Sequence, residues 1–216
     1  DGRRTYLRSL CFVLQNAVRE LFPDKVLIVD HSLPSGLYCN ICDVELREDG
    51  RRVPVLLSDA DLAAIKKRMH EIVAADMPFV KKKIEASAAE ALFEKNNQPD
   101  KAELQKSLGK FICSVYFLDG QVDTFHGPLL PSTGYLKVFD LLPFANGFCL
   151  QFPSEGDFSK VIPVKTQSKI AATLAAYSDW CSIVRVNGIG TLNRAITEGN
   201  AVRLINLSEA LHERKY

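Results

Sequence analysis

Between Thr5 and Phe22 the apolar residues Leu7, Leu10, Cys11, Leu14, Val18 and Leu21 recur every three or four positions, which sets them on one stripe of a helix. Pro23-Asp24 ends it. Val26 to Val29 and Leu37 to Leu46 read as strands, the second turning at Glu48-Asp49-Gly50 into Val53 to Leu57. Ser58 with Asp61 forms a capping pair for a helix through Leu62, Ile65, Met69, Ile72 and Val73 to about Asp76. After Pro78, Phe79 to Ile84 alternates like an edge strand, and Ser87 with Glu90 reads as a second capping box. Helices to Lys95 and over Lys101 to Leu108 follow, and then a hairpin of Phe111 to Leu118 and Gln121 to Phe125 joined at Asp119-Gly120.

Beyond the loop Gly127 to Gly134, strands fit Tyr135 to Leu142 and Gly147 to Phe152, and Gly156 to Lys165 is irregular. The tail predicts helices over about Ile170 to Val184, Leu192 to Glu198 and Ala201 to Arg214. The change from mixed helices and strands to helices alone sets a boundary near residue 153. It predicts an α+β domain over 1–153, an antiparallel sheet with helices, and a helical connector over 154–216.

Composition narrows the class. The 216 residues are 47% hydrophobic, enough for a buried core. Lys plus Arg number 27 and Asp plus Glu 26, so the summed field attracts neither nucleic acid nor an anionic membrane, and any RNA contact has to be local. Six cysteines at 11, 39, 42, 113, 149 and 181 lie mostly in apolar runs, as reduced core thiols of a cytoplasmic protein do. No apolar run approaches the roughly 18 to 20 residues that span a bilayer. The start, Asp1-Gly2-Arg3-Arg4, has neither an initiator Met nor a signal-peptide layout and reads as a processed or excised piece.

Three segments carry a resemblance over roughly residues 5 to 150. Arg8-Ser9-Leu10-Cys11-Phe12 leading to Ala17-Val18-Arg19-Glu20-Leu21-Phe22-Pro23 is similar to an H-S-x-x-H helix ending A-V-x-x-L-F-P. Ile72 to Phe79 and Ser87 to Phe93 resemble the middle helix, strand and following helix of the same family. Asp123-Thr124-Phe125-His126-Gly127-Pro128-Leu129-Leu130-Pro131-Ser132-Thr133-Gly134 is the most specific, resembling a D-x-C-x-G-P-H-x-P-x-T loop. The family is the editing (second additional) domain of threonyl-tRNA synthetase, shared with the editing domain of alanyl-tRNA synthetase. The resemblance implies its α+β fold.

It also implies what is missing. The family's cleft uses two histidines on the first helix and a cysteine and a histidine on the loop to bind a metal or position a hydrolytic water; here those positions read Arg8, Phe12, Phe125 and Leu129. None of the four ligates zinc as His or Cys does, so the resemblance implies no catalytic residue and no metal. Lys101 and Asp123 match the family. With Arg8, His126 and His31, and with Phe12, Phe125, Gly127, Leu129, Ser132 and Thr133 around them, they define a candidate pocket for an anion or a ribose-like group.

Pro131-Ser132-Thr133-Gly134-Tyr135-Leu136, with a tail ending Glu209-Ala210-Leu211-His212-Glu213, also resembles the N-terminal half of uridine kinase-like proteins. There a TGS domain and an editing-like domain precede an ATP-dependent P-loop nucleoside kinase. That resemblance implies a binding or regulatory role beside the chain's own kinase domain, ATP and Mg held by that domain and no cofactor here, a small nucleoside-like or anionic ligand, and no tRNA or membrane partner. No G-x-x-x-x-G-K-[ST] occurs, and Gly188-Ile189-Gly190-Thr191 lacks the lysine.

Other motifs read more simply. Cys39-x-x-Cys42 falls in a strand, where residues three apart face oppositely, and has no second pair for zinc. His70 and His212 read as solvated. Lys66-Lys67-Arg68 and Lys81-Lys82-Lys83 are the basic runs, read as solvated faces or edge protection with RNA contact as the sharper alternative. Gly127, Pro128, Pro131 and Gly134 supply turn geometry. Two other functional readings stay open: a hydrolase of aminoacyl esters using Asp123, His126 and Lys101 in new roles, and an RNA-binding module that kept acceptor-end contacts without the reaction.

Overall fold

A computed structural model of the chain describes residues 2–46, 52–154, 156–163, 168–186 and 188–215. The chain is α+β with antiparallel sheets, and it divides into two compact units. Of the described residues, the first takes those within 2–46, 52–84 and 114–163, and the second takes those within 85–113 and 168–215. The composition break near residue 153 therefore falls inside the first unit, and the C-terminal helices share the second with an internal stretch.

In the first unit, helix α1 (Gly2–Leu21) buries Leu10, Phe12, Val13, Leu14, Ala17 and Val18 completely. They pack on a sheet with strand order β1-β2-β8-β7: β1 (Lys25–Leu33), β2 (Gly36–Leu46), β7 (Asp140–Phe144) and β8 (Gly147–Gln151). Short β3 (Arg52–Pro54) adds to β2. Leu37, Cys39, Ile41, Phe148 and Leu150 supply the sheet side of the core, and α2 (Asp59–Ala74) adds Leu62, Ile65, Met69, Ile72 and Val73. A second sheet, ordered β4-β5-β6, contains β4 (Val80–Glu85), β5 (Ile112–Leu118) and β6 (Gln121–Asp123); Tyr116 and Leu118 join the same core.

The capping pair at α2 forms as expected: the Asp61 N–H donates to Ser58 Oγ at 3.1 Å and the Ser58 N–H to Asp61 Oδ2 at 2.9 Å. The second box does not. Helix α3 (Ala86–Lys95) starts with Glu85 as N-cap and no side-chain cap bond, because the Ala86 N–H already donates to the Phe111 carbonyl at 3.0 Å and the chain turns before Ser87.

Strand β1 runs on to Leu33 through a bulge between Val29 and His31. The strand expected over Tyr135 to Leu142 begins only at Asp140. Ahead of it lie a 3₁₀ turn over Thr133–Tyr135 and a segment whose Val138 N–H and C=O both bond the Tyr6 hydroxyl, at 3.0 and 2.9 Å, leaving no donor or acceptor for a ladder. Strand β6 stops at Asp123, short of Phe125, because the Thr124 N–H donates to the Asp123 carboxylate at 2.6 Å. The turn at Glu48-Asp49-Gly50 lies outside the described residues.

The second unit holds α3, α4 (Pro99–Leu108), α5 (Ser168–Ile183), α6 (Ile189–Thr197) and α7 (Ala201–Lys215). Helix α3 packs on α4 through buried Ala89, Phe93 and Ala102. Helix α6 packs on α4, where Arg194 pairs with Glu103 at 2.5 Å and Asn193 bonds Ser107 at 3.0 Å. Among the described residues no helix is long and apolar enough to cross a membrane.

Candidate functional site

The candidate site lies where the loop after β6 crosses α1. Phe12, fully buried on α1, meets Phe125 with ring centroids 5.5 Å apart and Phe79 at 6.0 Å. The Tyr116 ring meets Phe125 edge-on at 6.1 Å, and Leu129 packs partly buried against the same cluster. The sequence thus places hydrocarbon at three of the four substituted positions, and the fold closes it into one aromatic plug.

The fourth position, Arg8, lies over the plug's edge. Its Nε donates to the Pro128 carbonyl and its Nη2 to Thr5 Oγ1, both at 3.1 Å. Gly127 has φ +125°, a left-handed backbone that favours glycine. A Cβ there would stand 2.9 Å from Arg8 Cζ, so the guanidinium lies flat against the glycine. Ser9 pins the next residues: its buried hydroxyl donates to the Thr5 carbonyl and accepts the Leu130 N–H, each at 2.8 Å. From the other side the Tyr116 hydroxyl donates to the Gly127 carbonyl at 3.1 Å.

Ser132 and Thr133 do not line a pocket with these residues. Thr133 is fully buried; it donates from Oγ1 to the Ile72 carbonyl at 2.8 Å and accepts the Met77 N–H at 2.9 Å, closing the end of α2. Ser132 Oγ and the Gly134 N–H both donate to Asp76 Oδ1. Asp76 itself has φ +46°. The Ser132 hydroxyl first, and then the Gly134 N–H, hold the Asp76 carboxyl below the usual carboxylate range. An open groove of about 480 Å³ beside this clasp is lined by His70, Val73, Ala74, Asp76, Gly134 and Lys137. His70 is exposed, as expected, and also stacks on Phe139 with centroids 4.5 Å apart.

Asp123 is 1% exposed and turned inward, its carboxylate capping Thr124. Burial pulls the Arg19 guanidinium below its ordinary value, and the Asp123 charge pulls it part of the way back. His126 is exposed at the loop's tip. His31 takes its contacts from β1 and β2 instead, stacked on Tyr38 at 4.9 Å with Nδ1 3.4 Å from Asp30. Lys101 lies on α4 of the second unit. The structure therefore brings together Arg8, Phe12, Phe125, Gly127 and Leu129, and places Ser132 and Thr133 in a neighbouring clasp.

Sequence reasoning did not assign Thr5, Ser9, Asp76, Phe79 or Tyr116 to this site. Ser9, Asp76 and Phe79 stand in stretches with family likeness, Ser9 matching the serine of H-S-x-x-H, and that likeness is their only signal. Among the described residues, no group of three or more His, Cys, Asp or Glu side chains is arranged to hold a metal ion.

No family model matches the chain. Single proteins do. It is 27% identical over 148 residues to the threonine–tRNA ligase of Porphyromonas gingivalis (strain W83). It is 33% identical over 149 residues to that of Acidovorax sp. (strain JS42), and 30% identical over 149 residues to that of Carboxydothermus hydrogenoformans. Each match covers 68% of this chain and 21% or 22% of the ligase, so the chain spans about a fifth of the length of the curated relatives it matches. An α+β chain with a ring-filled junction between α1 and the 125–134 loop is thus distantly similar to one region of the threonine–tRNA ligases.

Proposed function

We propose that this chain is a binding module of the threonyl-tRNA synthetase editing-domain type, one that holds the acceptor end of a tRNA without hydrolysing it. The observation that carries this reading is the plug: Phe12 in ring contact with both Phe125 and Phe79, with Arg8 tied across the loop, so that Arg8, Phe12 and Phe125 occupy positions where the resembled domain keeps histidines and a cysteine. The similarity to threonine–tRNA ligases supports an RNA ligand. The near-balanced charge requires that contact to be local. Asp123, the carboxylate on which a remodelled hydrolase would have to rely, faces inward on Thr124. The test is paired: the full chain binds deacylated tRNA in an anisotropy titration while mischarged threonine tRNA keeps its buffer rate of deacylation. Deacylation above that rate by the intact chain, or absence of tRNA binding at 50 mM salt, overturns the reading.

A second reading makes the same module a regulatory neighbour of a nucleoside kinase domain on one polypeptide. It is favoured by α7, which carries the Glu209 to Glu213 resemblance and presents Val202 and Ile205 68% and 56% exposed, as a helix does that packs on a further domain. A P-loop in the sequence that follows Tyr216 in the parent protein supports it; a parent without one removes it.

A further inference from the structure

The chain has two basic runs, and the fold treats them differently. In the first, Lys66 pairs with Asp140 at 2.7 Å, and Arg68 pairs with Glu20 at 2.5 Å and Glu71 at 3.0 Å. Those cations are neutralised within the protein. In the second, the ammonium groups rest on rings instead: Lys81 Nζ lies 5.6 Å from the centroid of Tyr116, and Lys82 Nζ lies 5.1 Å from that of Phe117. A ring face orients an ammonium but does not cancel its charge, and it leaves donors for a ligand.

Lys81 and Arg8 border the same exposed peptide. Tyr116, under Lys81, donates to the Gly127 carbonyl, and Arg8 lies against the Gly127 α-carbon from the α1 side. The hydrogen bonds of Arg8 to Pro128 and Thr5 use Nε and Nη2, so Nη1 is left for an outside acceptor. Lys83, two residues along β4, falls on the Lys81 side by strand alternation and is exposed. His126, Gly127 and Pro128 are exposed between the cations.

We propose that Arg8 and Lys81 form a phosphate-binding pair across Gly127. In it the guanidinium that replaced a reactive side chain now supplies charge. The ligand chemistry is a phosphoryl anion, either a backbone phosphate of single-stranded RNA or the phosphate of a free nucleotide. The proposal rests on the binding-module reading for its RNA arm only.

The experiment uses the full chain and two probes: a fluorescein-labelled single-stranded RNA heptamer, titrated across 50 to 200 mM salt, and ADP, followed by its phosphorus resonances. Lys81→Ala lowers the slope of log K against log salt by about 0.7, and Arg8→Gln with Lys81→Ala by about 1.4. Lys66→Ala, whose cation is already paired, leaves the slope unchanged. Lys81→Ala removes an exposed side chain and keeps the fold, so the answer does not depend on the Arg8 variant. If ADP binding depends on both residues and RNA does not bind, the pair stands and the RNA reading falls. If tRNA and the heptamer bind with slopes unchanged in both variants, the pair falls and the reading stands. If neither probe binds at millimolar concentration, both fall.

Discussion

Ser132 donates its hydroxyl to the Asp76 carboxylate across 56 positions of chain, tying the loop after β6 to the second residue past α2. Asp76 sits at φ +46° to receive it, and the Gly134 N–H joins at 3.0 Å. The Pro131-Ser132-Thr133-Gly134 motif is thereby accounted for as a clasp. Its residues hold the loop in place, and the loop in turn seats Phe125 and Leu129.

The clasp is acid-sensitive with a defined sign. Asp76 has its folded pKa lowered, chiefly by Ser132, so its contribution is present above the unfolded value of about 4 and is lost as pH falls through the lower folded value. Thermal melts of the intact chain and of Ser132→Ala should differ at pH 7 and converge below about pH 4. A constant difference across that range excludes the linkage.

Gly127→Ala is expected to destabilise the chain by about 1–3 kcal/mol, since its φ of +125° is strained for a residue with a Cβ. The flexible end of Arg8 can move aside, so the cost is backbone strain. Gly134→Ala acts differently: its Cβ would stand 2.3 Å from Asp76 Oδ1, and it should flatten the pH dependence as Ser132→Ala does. Urea unfolding measures both.

Phe12→Ala should cost about 3–5 kcal/mol, as for a fully buried ring in a packed cluster, and should not create deacylation activity. Phe12→His on its own should also lower stability, because the imidazole meets Phe79 and Phe125 and gains no partner there. Chemical denaturation alongside a deacylation assay separates stability from chemistry.

Burial pushes the Cys42 thiol up to about 11 and Cys39 well above its ordinary value. At pH 8 about one Cys42 in a thousand is thiolate. Mass spectrometry after mild alkylation should therefore find the half-exposed Cys11 and Cys181 labelled first. Cys39 and Cys42 should label only after unfolding. Early labelling at Cys42 would contradict the buried placement of that strand.

The helices and most strands were readable because α1 and α2 repeat their apolar positions at helical spacing, and β2 and β8 are bounded by turn residues. What failed were places where a single polar contact overrules local pattern. Ser87-x-x-Glu90 has the letters of a capping box, but Phe111 had already taken the Ala86 N–H. Tyr135 to Phe139 has strand-like composition, but the Tyr6 hydroxyl occupies both backbone groups of Val138. At the site, the loss of imidazoles and thiol was visible residue by residue. Its physical outcome was not, because whether Phe12, Phe79 and Phe125 fill a cleft or line one depends on contacts between residues up to 113 positions apart. Asp123 shows the same limit: a matched letter in the motif is buried, its carboxylate accepting the Thr124 N–H.

The second unit is sewn from two lengths of chain, 85–113 and 168–215, with more than fifty residues of the first unit threaded between them. A truncation that removes only the C-terminal helices would strip α4 of its neighbour α6 and bare the surface around Glu103 and Ser107. Clean dissection of the two units therefore calls for an internal excision that rejoins Ile84 to Ser114, together with a stop near residue 167. Shortening at one end would leave an orphaned helical pair and a propensity to aggregate.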